Sequence, residues 1–227
     1  NVELRVDEFC QSQQDLMKLG VHVGDFVAVD PQPEVLENGF IVSRHLDDKA
    51  GAAVLLGAVK AVIDSGIELP VDCHPLFTIS EEVGSGAFAA LHGDVAEMLT
   101  LDNGTTAPGQ NSSEFGVTIC MADLSGPFDY HLTHYMIRLC QEFQIPYQRD
   151  VFRYYRSDSA SAVEAGADLR TALATFGVDG SHGWERIHWN ALESLTRLVT
   201  VYMQSPPLFL RDQDDIGPRT GFPMQPA

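Results

Sequence analysis

Six side chains that can bind a metal ion follow directly after predicted strands, in four separate places along the chain. They are Asp47 and Asp48, then Glu81 and Glu82, then Asp102, and finally His182. Carboxylates and imidazole are suitable ligands for zinc, cobalt and manganese. Carboxylates gathered at one edge of a sheet would repel each other and raise their pKa values, and divalent cations would remove that conflict. The pattern therefore favours metal-assisted chemistry.

Each motif taken alone has a simpler explanation. The acidic pairs 47–48 and 81–82 each open a predicted helix, where acidic residues serve as N-caps and interact favourably with the helix dipole. Asp102 begins an Asp-Asn-Gly sequence, which is typical of a turn. His182 follows a glycine-containing loop and could be an ordinary loop histidine. The metal hypothesis therefore depends on the four motifs meeting in space.

A two-metal site has defined requirements that this set of residues could meet. Two ions about 3.5–4 Å apart need one bridging carboxylate and further ligands on each side. A further carboxylate must remain free to take a proton from water. The adjacent Glu81 and Glu82 could divide these tasks, one binding metal and the other acting as the base.

The predicted elements from residue 39 onward alternate between strands and helices. This order indicates an α/β fold, with a mostly parallel sheet and helices on both faces. Ligands of such sheets bind beyond the carboxyl ends of the strands. The predicted strands cover residues 40–43, 73–80, 97–101, 117–121, 151–155 and 171–176, and the predicted helices cover residues 49–65, 83–91, 129–143, 159–165 and 188–203.

Three segments are predicted along the chain. Residues 1–33 contain two strand-like stretches, 2–7 and 25–30, around a short helix; this piece is too small to fold alone and is interpreted as the C-terminal part of an inserted β-rich domain. Residues 34–205 form the predicted catalytic α/β domain. Residues 206–227, rich in Pro, Asp and Gly, are predicted to be a loose C-terminal tail.

Composition excludes several classes of partner. The 227-residue chain has a net charge of −18, which disfavours nucleic acid and anionic membranes. No apolar run reaches the roughly 18 residues needed to cross a bilayer. The four cysteines are widely spaced and the N-terminus has no signal-peptide shape, so we expect free thiols in a cytoplasmic protein.

The four motifs together resemble those of the tetrahedral, or glutamyl-aminopeptidase-like, family of co-catalytic metallopeptidases. The order and approximate spacing both agree, and the resemblance runs from about Val2 to Met203. It implies a zinc-exopeptidase-like fold. The matching segments are Leu46–Gly51, Glu81–Gly84, Leu101–Asp102 and Ser181–Arg186, and the segment Leu19–Asp25 is similar to the end of the inserted domain of that family.

The resemblance implies a role for each site residue. Asp47 would bridge two divalent ions, zinc or cobalt before manganese, and Asp48 would support it, commonly through a non-proline cis peptide. Glu82 would complete one metal site with either Asp102 or His182, and the other of these two would serve the second site. Glu81 would be the general base.

Two further residues are candidates for substrate binding. Asp158 falls where the family has a Thr-Asp-Ala-like stretch and could orient a ligand, or it could cap the following helix. Arg186 could line the pocket, as could its neighbour Glu185, or the two could pair on the surface.

One departure from the family pattern bears on activity. The family has a further histidine ligand, in a His-x-Asp-Glu-type motif before the inserted domain, and nothing in this sequence matches it. Either the chain is truncated at its N-terminus or the site is degenerate. The absence of an initiator Met and the half-present insert favour truncation.

We therefore expect an aminopeptidase-type hydrolase that cleaves amide bonds of small peptides with metal-activated water, and that forms homo-oligomers when full length. Two alternatives stay open: a catalytically inactive binding or scaffold protein that keeps the fold, and a hydrolase of a capped dipeptide-amide osmolyte. A serine hydrolase is disfavoured because the chain has no Gly-x-Ser-x-Gly motif.

Overall fold

The computed structural model describes residues 3–91 and 93–210. The chain divides into two compact units, residues 1–31 and residues 32–227. Most of the predicted C-terminal tail, from residue 211 onward, lies outside the described residues. No helix in the described ranges is long and apolar enough to cross a membrane.

The first unit contains the helix α1 (Gln13–Lys18). Its N-cap is Ser12, whose hydroxyl accepts a hydrogen bond from the Asp15 N–H at 3.2 Å. The strands predicted at 2–7 and 25–30 are wrong where the unit is described, because residues 3–7 and 25–30 form no ladder. A strand is stable only when a neighbouring strand takes up its backbone hydrogen bonds, and the described part of this unit offers none.

The second unit is built around a five-stranded sheet. β3 (Glu97–Thr105) pairs in parallel with β7 (Arg170–Val178), and β7 pairs antiparallel with β4 (Val117–Asp123). β4 in turn pairs antiparallel with β5 (Gly126–Pro127) and in parallel with β6 (Tyr147–Val151). The sheet is mixed, and its two longest ladders, β3 with β7 and β4 with β6, are parallel, so the predicted α/β class with a mostly parallel sheet is confirmed.

A smaller antiparallel sheet of three strands accompanies it. Its order is β1 (Glu34–Val35), β2 (Phe40–Ser43) and β8 (Glu185–His188). The strand predicted at 40–43 is confirmed, but it belongs to this sheet rather than to the main one. β1 and β8 are too short to give an alternating pattern and were not predicted.

Helices cover both faces of the main sheet. α2 (Leu46–Ser65), α3 (Tyr130–Glu142) and α5 (Trp189–Gln204) share the larger hydrophobic core with β7, and α4 (Asp158–Glu164) contacts β3 and β7. Successive side chains of a strand point to opposite faces. In β7, Ala172 and Ala174 accordingly join the larger core, whereas Leu173 joins a second one with Cys120, Phe128 and Phe152.

Two predicted elements between α2 and β3 are wrong. Residues 73–80 form no strand, and no α-helix forms at 83–91; Val83 instead ends a short 3₁₀ turn, Glu81–Val83. Pro75 removes a backbone N–H from the first segment. The turn ends at Gly84, whose φ of +83° stops any continuation into an α-helix.

Candidate metal centre

Asp47 lies where the chain passes from the smaller sheet into α2. β2 ends at Ser43, the chain reverses at His45 with a φ of +62°, and α2 begins at Leu46. The Asp47–Asp48 peptide bond is cis, as the family resemblance implied. The Asp47 side chain is only 5% exposed. Its carboxylate is therefore presented from a buried position.

Glu81 and Glu82 are carried by the 3₁₀ turn, which Asp158 anchors. One oxygen of the buried Asp158 carboxylate accepts from the Thr78 hydroxyl at 2.9 Å, and the other accepts from the Ala87 N–H at 2.7 Å. Both bonds hold the loop on either side of the glutamates. Asp158 is the first residue of α4 rather than its N-cap, which is Ser157. Its substrate-binding role stays a prediction, and its contacts show a loop anchor.

His182 lies in the connection between β7 and β8, with a φ of +63°. Its Nε2 atom is 3.1 Å from Asp47 Oδ2 and 3.7 Å from Glu82 Oε2. One ligand atom from each of Asp47, Glu82 and His182 lies within 4.8 Å of the others. We call this set the His182 group. The structure thus brings Glu82 together with His182 rather than with Asp102.

A second group shares Asp47. Ligand atoms of Asp47, Asp48 and Asp102 also lie within 4.8 Å of one another. We call this set the Asp102 group. Asp102 lies in β3 and is held opposite Thr175 of β7 by the parallel register. A carboxylate common to two adjoining groups is the arrangement that a bridging ligand requires.

The electrostatics of the two groups favour cation binding. Burial, reinforced by neighbouring carboxylates, raises the pKa of Asp102 and that of Asp48 well above the ordinary value. Burial also raises the pKa of Glu81 to about 7, with further contributions from Glu82, Asp158 and Asp47. Ionised carboxylates this close together repel one another, and bound cations would relieve the repulsion. The donor set, one imidazole with several carboxylates, fits divalent zinc or cobalt.

The raised pKa of Asp102 predicts the behaviour of the metal-free chain. A folded state with a raised carboxyl pKa holds a proton that the unfolded state has lost, so stability falls as pH rises above about 4. We expect Asp102→Asn, which removes that charge and keeps an acceptor for the Asn103 N–H, to raise the melting temperature in EDTA at pH 8. A gain of about 1 kcal/mol corresponds to about 2–4 °C.

Thermal melts at pH 5 and pH 8 check this expectation. The effect should be small at pH 5 and larger at pH 8. The exposed Asp64→Asn on α2 is the matched control and should stay within about ±0.5 kcal/mol of the parent. An unchanged or lower melting temperature for Asp102→Asn at pH 8 would contradict the prediction.

Sequence reasoning underestimated Glu185. Its side chain is 1% exposed, and its two oxygens accept hydrogen bonds from the Asp47 N–H at 3.0 Å and the His182 N–H at 2.9 Å. Glu185 lines the cavity at this site together with Asp47, Glu82 and His182, as one alternative held, whereas the alternative of pairing with Arg186 on the surface is wrong. The available signal was its position three residues after His182, which did not reveal that it would be buried.

Arg186 lies on the opposite face of β8 from Glu185, as strand alternation requires. Its guanidinium makes two 2.9 Å bonds to the Glu114 carboxylate and stacks 4.9 Å from the centre of the Phe40 ring. Arg186 therefore forms an ion pair, as one alternative held, but its partner is Glu114 rather than Glu185. Substrate binding by Arg186 stays a prediction that none of its described contacts supports.

Comparison with known proteins identifies relatives of the chain. Over 206 residues the chain is 39% identical to "Putative aminopeptidase YhfE" of Bacillus subtilis (strain 168). The aligned region covers 91% of this chain and 60% of that protein. The chain thus spans about 60% of the length of this curated relative.

Two solved structures show the same fold. Aminopeptidase APDkam598 from the archaeon Desulfurococcus kamchatkensis has a TM-score of 0.77 at 22% identity, over 93% of this chain and 62% of its own. The Pyrococcus horikoshii TET1 peptidase, which can assemble into a tetrahedron or a large octahedral shell, has a TM-score of 0.73 at 23% identity, over 87% and 59%. These identities support likeness of fold alone.

The decisive comparison is with a family model. The model for the M42 glutamyl aminopeptidases matches residues 1–198. This match covers the first unit and the residues of the His182 and Asp102 groups, and it confirms the resemblance inferred from the four motifs. The chain belongs to the M42 glutamyl aminopeptidase family.

Proposed function

We propose that this protein is a metal-dependent aminopeptidase that hydrolyses the N-terminal amide bond of small peptides. The observation that carries the proposal is the convergence of two ligand groups on one shared carboxylate, that of Asp47. Their members come from four separate segments of the chain. The name of the Bacillus subtilis relative supports the same reaction class.

The two groups suggest where each ion would bind. Asp47, Glu82 and His182 would hold one ion, and Asp47 with Asp102 would contribute to the other. Asp48 supports Asp47 in this scheme. The family's additional histidine would complete the second site, and this sequence contains no match to its motif. When bound, zinc or cobalt supplies Lewis acidity, which polarises the substrate carbonyl and acidifies water.

Glu81 is the proposed general base. Its carboxyl group is partly buried, and its pKa is raised to about 7. A group with a pKa near neutral pH can both accept a proton and return it, as a general base must. It would accept a proton from water and return it to the leaving amine. Glu82, its neighbour, lies beside His182 and so is available for metal binding, which leaves Glu81 free for proton transfer.

The proposed partners follow from the same relatives. A small peptide with a free N-terminal amine is the proposed substrate. The assembly of the Pyrococcus horikoshii TET1 peptidase supports a homo-oligomer. The four free cysteines are compatible with the reducing cytoplasm, which we propose as the location.

Metal analysis combined with an activity assay tests the proposal. Protein expressed from the complete gene should retain about two divalent ions, lose turnover of aminoacyl p-nitroanilides in EDTA, and recover it with Zn²⁺ or Co²⁺. The chain of 227 residues should retain the ion of the His182 group more firmly than the second. An N-acetylated substrate is the control and should not be cleaved.

Two results would contradict the proposal. Absence of turnover in metal-loaded full-length protein would favour the inactive binding or scaffold alternative. Cleavage of an N-acetylated glutamine dipeptide amide, without cleavage of free-amine substrates, would favour the osmolyte hydrolase instead.

A further inference from the structure

We infer that Glu185 is a positioning residue, which fixes the backbone of Asp47 and of His182 and thereby sets the geometry of the His182 group. Its role in metal binding rests on the proposed function. Its role in holding the two loops together rests on contacts that the structure shows without any ion.

The contacts join two segments that are far apart in sequence. The Asp47 N–H donates to Glu185 Oε2 at 3.0 Å, across a separation of 138 residues. The His182 N–H donates to Glu185 Oε1 at 2.9 Å. Each oxygen of the carboxylate therefore takes one of the two N–H groups. Hydrogen bonds from N–H groups to an ionised acceptor are among the stronger ones in proteins.

The surrounding strands hold Glu185 in place. In the antiparallel register of β2 and β8, Glu185 lies opposite Ser43, the last residue of β2, four residues before Asp47. On the other side, Asp179 and Arg186 exchange two backbone hydrogen bonds of 2.9 Å and close the turn that contains His182. The carboxylate is thus anchored between the two loops that it joins.

Both loops adopt backbone conformations that need external support. His182 and His45 have positive φ values of 63° and 62°, which residues other than glycine rarely adopt. The turn is also crowded, since a Cβ atom at Gly180 would lie 2.7 Å from the Trp184 carbonyl oxygen. Conformations of this kind persist when neighbouring contacts over-determine them. The two hydrogen bonds to Glu185 provide such contacts.

Glu185 is not itself positioned as a metal ligand. Its side chain is 1% exposed, and both of its oxygens already accept backbone hydrogen bonds. His182, in contrast, has a side chain that is 72% exposed, and little else in the described part of the chain restrains it besides Asp47 and Glu82. The orientation of the imidazole therefore depends on the backbone that Glu185 holds.

The test measures Co²⁺ binding by Glu185→Gln with a competing chelator, together with the Co²⁺ absorption spectrum. The amide keeps one acceptor but turns its NH₂ group towards the second N–H, so one bond is lost. We expect Co²⁺ affinity to fall by about 10–100-fold, the usual loss when a residue that hydrogen-bonds a metal ligand is replaced. The absorption spectrum of bound Co²⁺ should also change. Glu185→Asp, which keeps the charge but shortens the reach by one methylene, should also bind more weakly.

Asp150→Asn is the matched control. Asp150 is likewise buried, at 8% exposure, and one of its oxygens accepts from the Asn111 and Ser112 N–H groups at 2.7 and 2.9 Å. This control should lose comparable thermal stability but keep its Co²⁺ affinity. Equal losses of affinity in Glu185→Gln and Asp150→Asn would overturn the inference, and so would parent-like affinity in Glu185→Asp.

Amide hydrogen exchange separates this inference from the proposed function. A parent chain that binds no Co²⁺ would contradict the metal site, but the loops could still be examined without metal. Glu185→Gln should then speed exchange at the Asp47 and His182 amides more than Asp150→Asn does. Equal exchange at these two amides would overturn the positioning role.

Discussion

Glu81→Gln should lower kcat of the full-length, metal-loaded protein by about 10²–10⁴-fold and leave its metal content unchanged. Gln has nearly the same shape as Glu but cannot accept and return a proton at neutral pH. The metal content should persist because Glu82, rather than Glu81, lies beside Asp47 and His182. Steady-state kinetics on an aminoacyl p-nitroanilide and elemental analysis of the same sample give both quantities.

The matched control for this substitution is Glu142→Gln, at the exposed end of α3, which should change neither quantity. The pKa of Glu81 is raised to about 7 in the metal-free chain, chiefly by burial, and bound cations would lower it; activity of the parent should therefore fall on the acidic side of this value as the base becomes protonated. Substantial turnover by Glu81→Gln would rule out Glu81 as the base. Loss of metal together with turnover would instead make it a ligand.

Asp47→Asn should cause the largest loss of metal binding among the site residues. Asp47 belongs to both ligand groups, so its replacement weakens both, whereas His182→Ala affects one. An amide is also a poorer ligand than a carboxylate because it carries no charge. We expect affinity to fall by more than about 100-fold, beyond the usual effect of an outer-shell change. Isothermal titration with Zn²⁺ or Co²⁺ measures it.

Asp64→Asn, on the exposed side of α2, is the control and should bind metal like the parent. The backbone N–H of residue 47 is unaffected by the substitution, so its bond to Glu185 should remain and the fold should be preserved. If Asp47→Asn loses no more affinity than His182→Ala, the proposed bridging role is wrong.

The main elements of the fold could be predicted because their signals are local. β3, β4 and β7 contain apolar runs, and α2 ends at Gly66 in the left-handed conformation, as the sequence indicated. The placement of β2 could not be predicted. A strand pattern gives neither the direction of a strand nor the sheet that it joins, and β2 pairs with β8, which is about 140 residues away.

The candidate site was predictable where it depends on side-chain type and not where it depends on backbone contacts. Asp47, Glu82, Asp102 and His182 come together as the motifs suggested, although which ligand accompanies Glu82 required coordinates. The role of Glu185 left little trace in the sequence, because its partners are backbone N–H groups and every residue except proline has one.

The uneven exposure of the His182 group has a consequence for metal exchange. Asp47 is 5% exposed, whereas the side chains of Glu82 and His182 are 54% and 72% exposed. Two of the three donors can thus swing into solvent while the sheet and its helices stay folded. An ion in this group would be replaceable from the surrounding buffer, and the occupying metal would reflect what the solution supplies as much as what the ligands prefer.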